Sequence, residues 1–361
     1  MAAGSASHIN KSSDTLMDLG FARMLFRAML RWSRLLGIDA DKRPLWSDLL
    51  SRLAPFPEER DEAGGTVFGS SSGAGDTFPV ASQCFSNWSK HNASGFYRAG
   101  LNASEMDLSG CEAGRLRSLS SLCSSRALIR RLYARSQCTL PGGVLQSGVH
   151  PSEEVDLTSS PGLLATARRT VREVNALNAW SPTNGLCLAW PPAARVVAPT
   201  GAARLLDEFE RAVNLTMMPN FVPFLWNRPG SGSGCTTEQA GATAAINDLL
   251  VSTHGHGDNA SIWVLPGGWP QGADVSFRRL RVRGAFLVSA QAIGTAGLPR
   301  LLSLTVKSLA GNSVALRWPD RRAPTVRRNG SAVAVSAQPG EGGALTLSWP
   351  TAAGASYEVG A

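Results

Sequence analysis

The sequence predicts a protein that is mainly α-helical at first and all-β afterwards. Apolar residues recur at helical spacing from near Thr15 onward. From Trp263 the apolar period changes to two, and Gly, Pro and Asn turns separate the alternating runs. The two patterns do not interleave, which indicates segregated units instead of repeated βαβ crossovers. We therefore expect a helical region followed by a β-sandwich-like domain over 271–361.

Composition limits the class of protein. The chain has 361 residues, of which 43% are hydrophobic and 17% charged, values typical of a globular protein. No apolar run is long enough to span a membrane. The net charge of +8 is spread over amphipathic elements, and neither zinc-finger spacing nor an RNA-binding motif occurs. We therefore expect neither a membrane span nor a nucleic-acid partner.

The helical region begins with a predicted αα-hairpin within 1–57. A first helix is expected over 13–36, with Ser13 as its cap and Gly37 ending it. A second helix is expected over 45–53, where Pro44 suits the first turn and Pro55 lies beyond the end. The two helices and their short connection predict an antiparallel pair.

The remainder divides into three further segments. Residues 58–148 are predicted to be an irregular insertion rich in cysteines and glycosylation sequons, with one helix near 119–134. Residues 149–270 carry the remaining helices, expected at 162–176, 190–196, 202–213 and 240–252. The β-domain at 271–361 has strands expected at 276–290, 301–307, 313–318, 325–328, 332–336 and 345–349.

Seven N-x-[ST] sequons favour passage through a secretory pathway. Chance would give about two in a chain of this composition. The acceptors are Asn10, Asn87, Asn92, Asn102, Asn214, Asn259 and Asn329. The six cysteines form disulfides or remain buried thiols, and both alternatives stay open. The first residues lack the apolar stretch of a signal peptide, so the secreted or secretory-pathway localisation is inferred from sequons and cysteines.

Glu238 is the candidate catalytic residue. A Pro- and Gly-rich loop at 219–234 delivers it, with Gln239 and Thr237, to the start of a helix of small residues. A carboxylate there is accessible and stays ionised beside free backbone amides, as a general base requires. The simpler alternative is a favourable acidic residue in a helix first turn.

Other candidates have a simpler structural interpretation. His254 and His256 lack a clear third ligand, so no metal site is predicted. Trp190, Trp226 and Trp269 are candidates for stacking on a sugar ring or for packing. The alternating arginines of one predicted strand, Arg279, Arg281 and Arg283, indicate its solvent-exposed face. An acidic patch consists of Glu153, Glu154 and Asp156.

Several blocks, in order, resemble the α-L-fucosidase-type (α/α)₆ glycoside hydrolases and their six-hairpin relatives. These blocks are 31–57 (RWSRLLGIDADKRPLWSDLLSRLAPFP), 149–172 (VHPSEEVDLTSSPGLLATARRTVR) and 236–290, which contains WVLPGGWP and FRRLRVRGAFLVSA. The resemblance implies a partial (α/α)₆ toroid of helical hairpins. It also implies an inverting exo-hydrolase of terminal α-linked L-fucose or a related sugar, with no metal or organic cofactor.

The resemblance also assigns roles to single residues. The family's base lies on a DGNFG-type loop that corresponds here to TEQAG, 237–241, where Thr237 replaces the aspartate and Glu238 is the carboxylate. Gln239, Thr237 and Trp226 are the expected substrate-binding residues. The family's general acid precedes the 13–36 helix and would therefore lie before Met1. The competing hypothesis is a non-catalytic, carbohydrate-binding or structural remnant of the same fold.

Overall fold

The structure is a computed structural model, and it describes residues 15–60, 64–69, 146–177, 189–216, 236–297, 299–340 and 343–360. Its helices are α1 (Leu16–Leu36), α2 (Arg43–Arg52), α3 (Pro161–Leu177), α4 (Trp190–Arg195), α5 (Ala202–Thr216) and α6 (Thr236–Leu250). Its first strands are β1 (Glu58–Arg60), β2 (Thr66–Phe68), β3 (Val251–His254), β4 (Ser261–Val264), β5 (Asp274–Val282), β6 (Phe286–Ile293) and β7 (Arg300–Ser308). The last are β8 (Val314–Trp318), β9 (Thr325–Arg328), β10 (Ser331–Ala332), β11 (Ser336–Pro339), β12 (Leu345–Trp349) and β13 (Ser356–Gly360).

The predicted first hairpin is confirmed, with shifted helix ends. The backbone N–H of Asp18 donates to Thr15 Oγ1 at 3.1 Å, so Thr15 caps α1. The expected cap, Ser13, lies outside the described residues. Gly37 ends the helix in the left-handed conformation at φ 68°, which glycine adopts without a Cβ clash. Arg43, at the start of α2, donates to Ser33 Oγ at 2.7 Å and holds the two helices together.

A helical core forms around α4. Trp190 is buried and meets Phe209 of α5 edge to face, with ring centroids 5.2 Å apart. Apolar side chains from α1, α3, α5 and α6 complete this cluster, including Leu16, Val171 and Leu249. Burial of a Leu or Val side chain stabilises the fold by about 1.5–3 kcal/mol, so this shared core fixes α6 against α4.

Two large sheets make up the β part. The six-stranded sheet has the order β10-β9-β13-β7-β6-β5, and the five-stranded sheet has the order β11-β12-β8-β4-β3. Every pairing in them is antiparallel except that between β4 and β8. Val288 and Val306 of the first sheet share one hydrophobic core with Leu316 and Leu347 of the second. The expected change from helices to a mainly antiparallel β part is confirmed.

Three predicted elements are wrong in detail. The strand expected over 332–336 is two short strands, β10 and β11, which 333–335 separate. The helix expected to reach residue 252 ends at Leu250, and Val251–His254 is a strand that pairs with β4. The single strand expected over 276–290 is the hairpin β5–β6, whose turn contains Gly284 at φ 86°. The helix end was misplaced because a short apolar run does not distinguish a helix end from a buried strand. The hairpin was missed because its turn lacks the Asn-Gly signal that marks a tight turn.

The helices in the described ranges do not display a six-hairpin toroid. They form the α1–α2 hairpin and the α3–α6 cluster, and Leu16 of α1 packs into that cluster. No helix in these ranges is long and apolar enough to cross a membrane.

Candidate functional site

The structure places Glu238 in the first turn of α6, which begins at Thr236. Thr237 and Gln239 flank it on the same turn. The side chains of these residues, and Trp226 as a whole, lie outside the described residues. The helix begins at Thr236 and not at the expected residue 240, so Glu238 lies within its first turn and not on the preceding loop. The predicted catalytic and binding roles stay predictions.

The other end of α6 enters a partly buried group of charged side chains, which we name the junction cluster. It joins the 146–160 segment, α4 and α6 to the first strand of the β part and to the β5–β6 turn. Its members are Glu153, Asp156, Arg195, Asp248, His254 and Arg283.

Arg195 lies at the centre of the junction cluster. It ends α4, its side chain is only 3% exposed, and it donates to the carbonyl oxygen of Thr253 at 2.9 Å. Its guanidinium nitrogens lie 3.4 Å from Glu153, 3.9 Å from Asp156 and 4.0 Å from Asp248. Burial lowers its pKa, but the nearby carboxylates favour the charged form, so Arg195 compensates the negative charge of the site.

Asp156 connects the 146–160 segment to the β part. Its carboxylate accepts from the backbone N–H of Gly255 at 2.7 Å and from both the backbone N–H and the hydroxyl of Thr158. Burial acts to raise its pKa, yet the charge of a protonated His254 and these hydrogen bonds outweigh burial and lower it. Because His254 itself is neutral near pH 7, we assign the ionised state chiefly to the hydrogen bonds. Arg195 also lies 3.9 Å from the carboxylate.

Ser252, His254 and Asp156 are ordered like the triad of a serine hydrolase. His254 Nε2 lies 2.7 Å from Ser252 Oγ, and Nδ1 lies 3.8 Å from Asp156. The arrangement differs from a catalytic triad in its exposure to solvent. All three residues are buried, so the Ser252 hydroxyl is not accessible to a substrate. Burial is the main cause that lowers the pKa of His254, and Arg195 lowers it further, so the imidazole is neutral and structural. Trp263 covers it edge to face at 5.1 Å.

Asp248 is the carboxyl group of the junction cluster whose pKa is raised. Burial raises its pKa to about 6, and the attraction of Arg195 limits the rise. A carboxyl group with this pKa holds a proton in mildly acidic solution, as a general acid does. Its side chain, 23% exposed, faces the guanidinium at 4.0 Å.

Two further ion pairs connect the 146–160 segment to the β part and to α1. Glu153, whose backbone is left-handed at φ 56°, pairs with Arg283 of the β5–β6 turn. Glu154, which is buried, pairs with Arg27 of α1 at 2.9 Å. The acidic patch predicted at 153–156 therefore ties α1, α4 and the β part together.

The remaining candidates are placed as follows. Trp190 packs in the helical core, and Trp269 packs beside Leu265 and Val275. Arg279 and Arg281 are exposed along β5, as expected. The described residues contain no group of three or more His, Cys, Asp or Glu side chains arranged to hold a metal ion.

The sequons fall into two groups. Asn214, Asn259 and Asn329 are exposed, as a glycosylation acceptor has to be. Asn10, Asn87, Asn92 and Asn102, like all six cysteines, lie outside the described residues. Glycosylation and the pairing of the cysteines stay predictions.

A small recess lies on the β part. Trp263 and Pro319 are among its lining residues, and Arg317 stacks over the Trp263 ring at 3.9 Å from the centroid. Its volume of about 20 Å³ has room for about one water molecule and not for a sugar ring.

Sequence reasoning did not find the junction cluster. The available signal was an arginine in the apolar helix WPPAAR, because a charge in such a helix needs a buried partner. No family model matches this chain, and a search of curated proteins finds no significant match. The geometry and the residues therefore carry the functional argument.

Proposed function

We propose that this chain is the C-terminal portion of an inverting glycoside hydrolase of the α-L-fucosidase type. Its helical region belongs to an (α/α)₆ toroid, and its substrate is a terminal α-linked L-fucose or a related sugar. One observation supports this above the others: the helix that carries Glu238 in its first turn passes directly into the β part. The family that this chain resembles has its blocks in the same order, and its catalytic base lies just before the corresponding helix.

Glu238 is the proposed general base. A first-turn carboxylate lies beside free backbone amides and the positive end of the helix dipole, which keep it ionised. An ionised carboxylate takes a proton from the water that attacks the anomeric carbon. Thr237, Gln239 and Trp226 are the proposed sugar- and water-positioning residues.

The junction cluster has a different role in this proposal. Ten residues separate Glu238 from Asp248, which corresponds to about 15 Å along a helix axis. The two carboxyl groups of an inverting glycosidase are about 6.5–9.5 Å apart, so Asp248 is too distant to be the partner acid. The cluster instead anchors the far end of α6, and the proton-donating acid comes from another part of the complete enzyme.

The test is hydrolysis of 4-nitrophenyl α-L-fucoside, whose phenolate leaving group departs without a proton-donating acid, by the chain, by Glu238→Gln and by the control Glu210→Gln. Glu210 is an exposed carboxylate on α5. Removal of a general base lowers the rate by about 10²–10⁴-fold, so Glu238→Gln should lose activity while Glu210→Gln keeps it. NMR of the first-formed sugar should show an inverted anomeric configuration.

Two outcomes contradict this assignment. Equal hydrolysis rates for the chain and Glu238→Gln would remove Glu238 from the mechanism. Absence of hydrolysis together with measurable fucose binding by calorimetry would instead support a non-catalytic, carbohydrate-binding remnant of the fold.

A further inference from the structure

The α1–α2 hairpin exposes an unusually large apolar surface, which we name the α1 stripe. Leu35 is 71% exposed, Leu36 68% and Trp32 59%. The complete set is Phe21, Met24, Leu25, Trp32, Leu35, Leu36, Ile38 and Leu45. With side-chain areas of about 200 Å² each, these residues expose roughly 800 Å². The largest apolar patch on a typical monomer is about 300–600 Å², whereas one partner of a standard interface contributes about 800 Å².

Apart from Ile38 and Leu45, the α1 stripe is a second face of α1 and not a poorly packed core. The buried face of the helix contains Leu16, Leu19 and Leu30. At 100° per residue, the exposed apolar positions of α1 occupy an arc of about 120° on the opposite side. An apolar arc of this width is what a helix presents to a packing partner. The helix is therefore built to pack on both sides.

Charge limits the identity of the partner. Arg27, Arg31 and Arg34 are exposed along one flank of the α1 stripe, at the spacing of successive helical turns. Ala22 and Met29 lie on the other flank, which carries no basic residue. A surface with this one-sided charge is complementary to a helix that carries carboxylates along one flank.

A second copy of the chain does not supply this complement. Antiparallel pairing of two α1 helices places the arginine flank against itself, because equivalent flanks face each other in that geometry. Parallel pairing places it against the flank of Ala22 and Met29, where the nearest carboxylate, Asp18, lies more than two helical turns before Arg27. A membrane surface fits less well than a helix, since the basic residues flank one side only and Asp18 lies within the apolar arc.

We propose that the α1 stripe binds an amphipathic helix of a separate partner protein. The apolar face of that helix covers Trp32, Leu35 and Leu36. Its acidic flank pairs with Arg31 and Arg34. This inference goes beyond the proposed hydrolysis, and its test involves no sugar.

The experiment measures anisotropy of two fluorescein-labelled designed helical peptides added to the full chain. Both peptides have the same leucine stripe, and the flank is glutamate in one and lysine in the other. The glutamate peptide should bind at least about tenfold more tightly, and added salt should reduce the difference. Leu35→Ser and Trp32→Ser should each weaken binding about tenfold or more.

Two variants make the test specific. Arg31→Glu combined with Arg34→Glu should reverse the preference toward the lysine peptide. Leu302→Ser is the matched control, because Leu302 is 56% exposed but lies on β7 away from the hairpin, and it should leave binding unchanged. Circular dichroism confirms that each variant is folded.

Several outcomes overturn the proposal. Equal binding of the two peptides, or binding of neither, excludes an acidic helical partner. Concentration-dependent dimerisation of the chain that Leu35→Ser abolishes, measured by sedimentation, assigns the stripe to a second copy. Binding to phosphatidylserine vesicles that Leu35→Ser abolishes, without any peptide preference, assigns it to a membrane surface.

Discussion

Replacement of Arg195 by methionine tests the role of the junction cluster. The substitution removes the buried positive charge that faces Glu153, Asp156 and Asp248 and keeps most of the apolar side-chain volume. It also leaves the carbonyl oxygen of Thr253 without the 2.9 Å hydrogen bond. Removal of one partner from a buried ion pair costs about 3–5 kcal/mol, which we expect for Arg195→Met near neutral pH.

The size of the loss should depend on pH through Asp248. Burial raises the folded pKa of this carboxyl from 3.8 to about 6, so ionisation of Asp248 destabilises the fold as pH rises through this range. At 1.36 kcal/mol per pKa unit, the destabilisation reaches about 3 kcal/mol above pH 6. Arg195 limits the shift, so the pKa of Asp248 rises further in Arg195→Met. The variant should therefore lose about 1–2 kcal/mol more, relative to wild type, near pH 8 than near pH 5.

Urea unfolding followed by circular dichroism at the two pH values measures these differences. Arg168→Met is the matched control, because Arg168 also donates to backbone oxygens, those of Val196 and Val197, but faces no carboxylate in the described ion pairs. It should cost about 1–2 kcal/mol at both pH values. In an Asp248→Asn background the extra pH dependence of Arg195→Met should disappear. A loss that is the same at both pH values, or no greater than that of Arg168→Met, refutes this account.

Two further predictions concern His254 and Gly294. Because the pKa of His254 is lowered in the fold, its stabilising contribution is present above pH 6.5 and is lost as pH falls below it. His254→Gln should therefore remove about 2 kcal/mol of the acid destabilisation near pH 5, and parallel stability–pH curves of the variant and wild type would contradict this. A Cβ at Gly294 would lie 1.9 Å from the carbonyl oxygen of Pro270, whereas one at Gly297 meets nothing within 4 Å. Gly294→Ala should cost about 1–3 kcal/mol by urea unfolding and Gly297→Ala less than about 0.5, and similar costs would show that the Pro270 contact is unimportant.

Much of the fold followed from local sequence signals. Pro44 and Gly37 marked a helix start and a helix end, and alternation predicted the strands at 325–328 and 345–349 with the observed bounds. The start of β3 was predicted as the end of a helix. Val251–His254 is a short buried run, and its own residues do not reveal that it pairs with β4. β13 was missed because SYEVG is short and carries few apolar residues.

The sequence by itself determined the change from helical to strand periodicity, the ends of several elements and the presence of a helix that begins near Glu238. These are local properties, because caps, turns and apolar spacing act over a few residues. The tertiary structure alone decided the junction cluster and the open side of α1. The Gly255 N–H and the Asp156 carboxylate are 99 residues apart in the chain, and they meet where the helical part packs against the β part. The physical reason is that a charge becomes buried, and an apolar face stays open, only through the packing of distant segments.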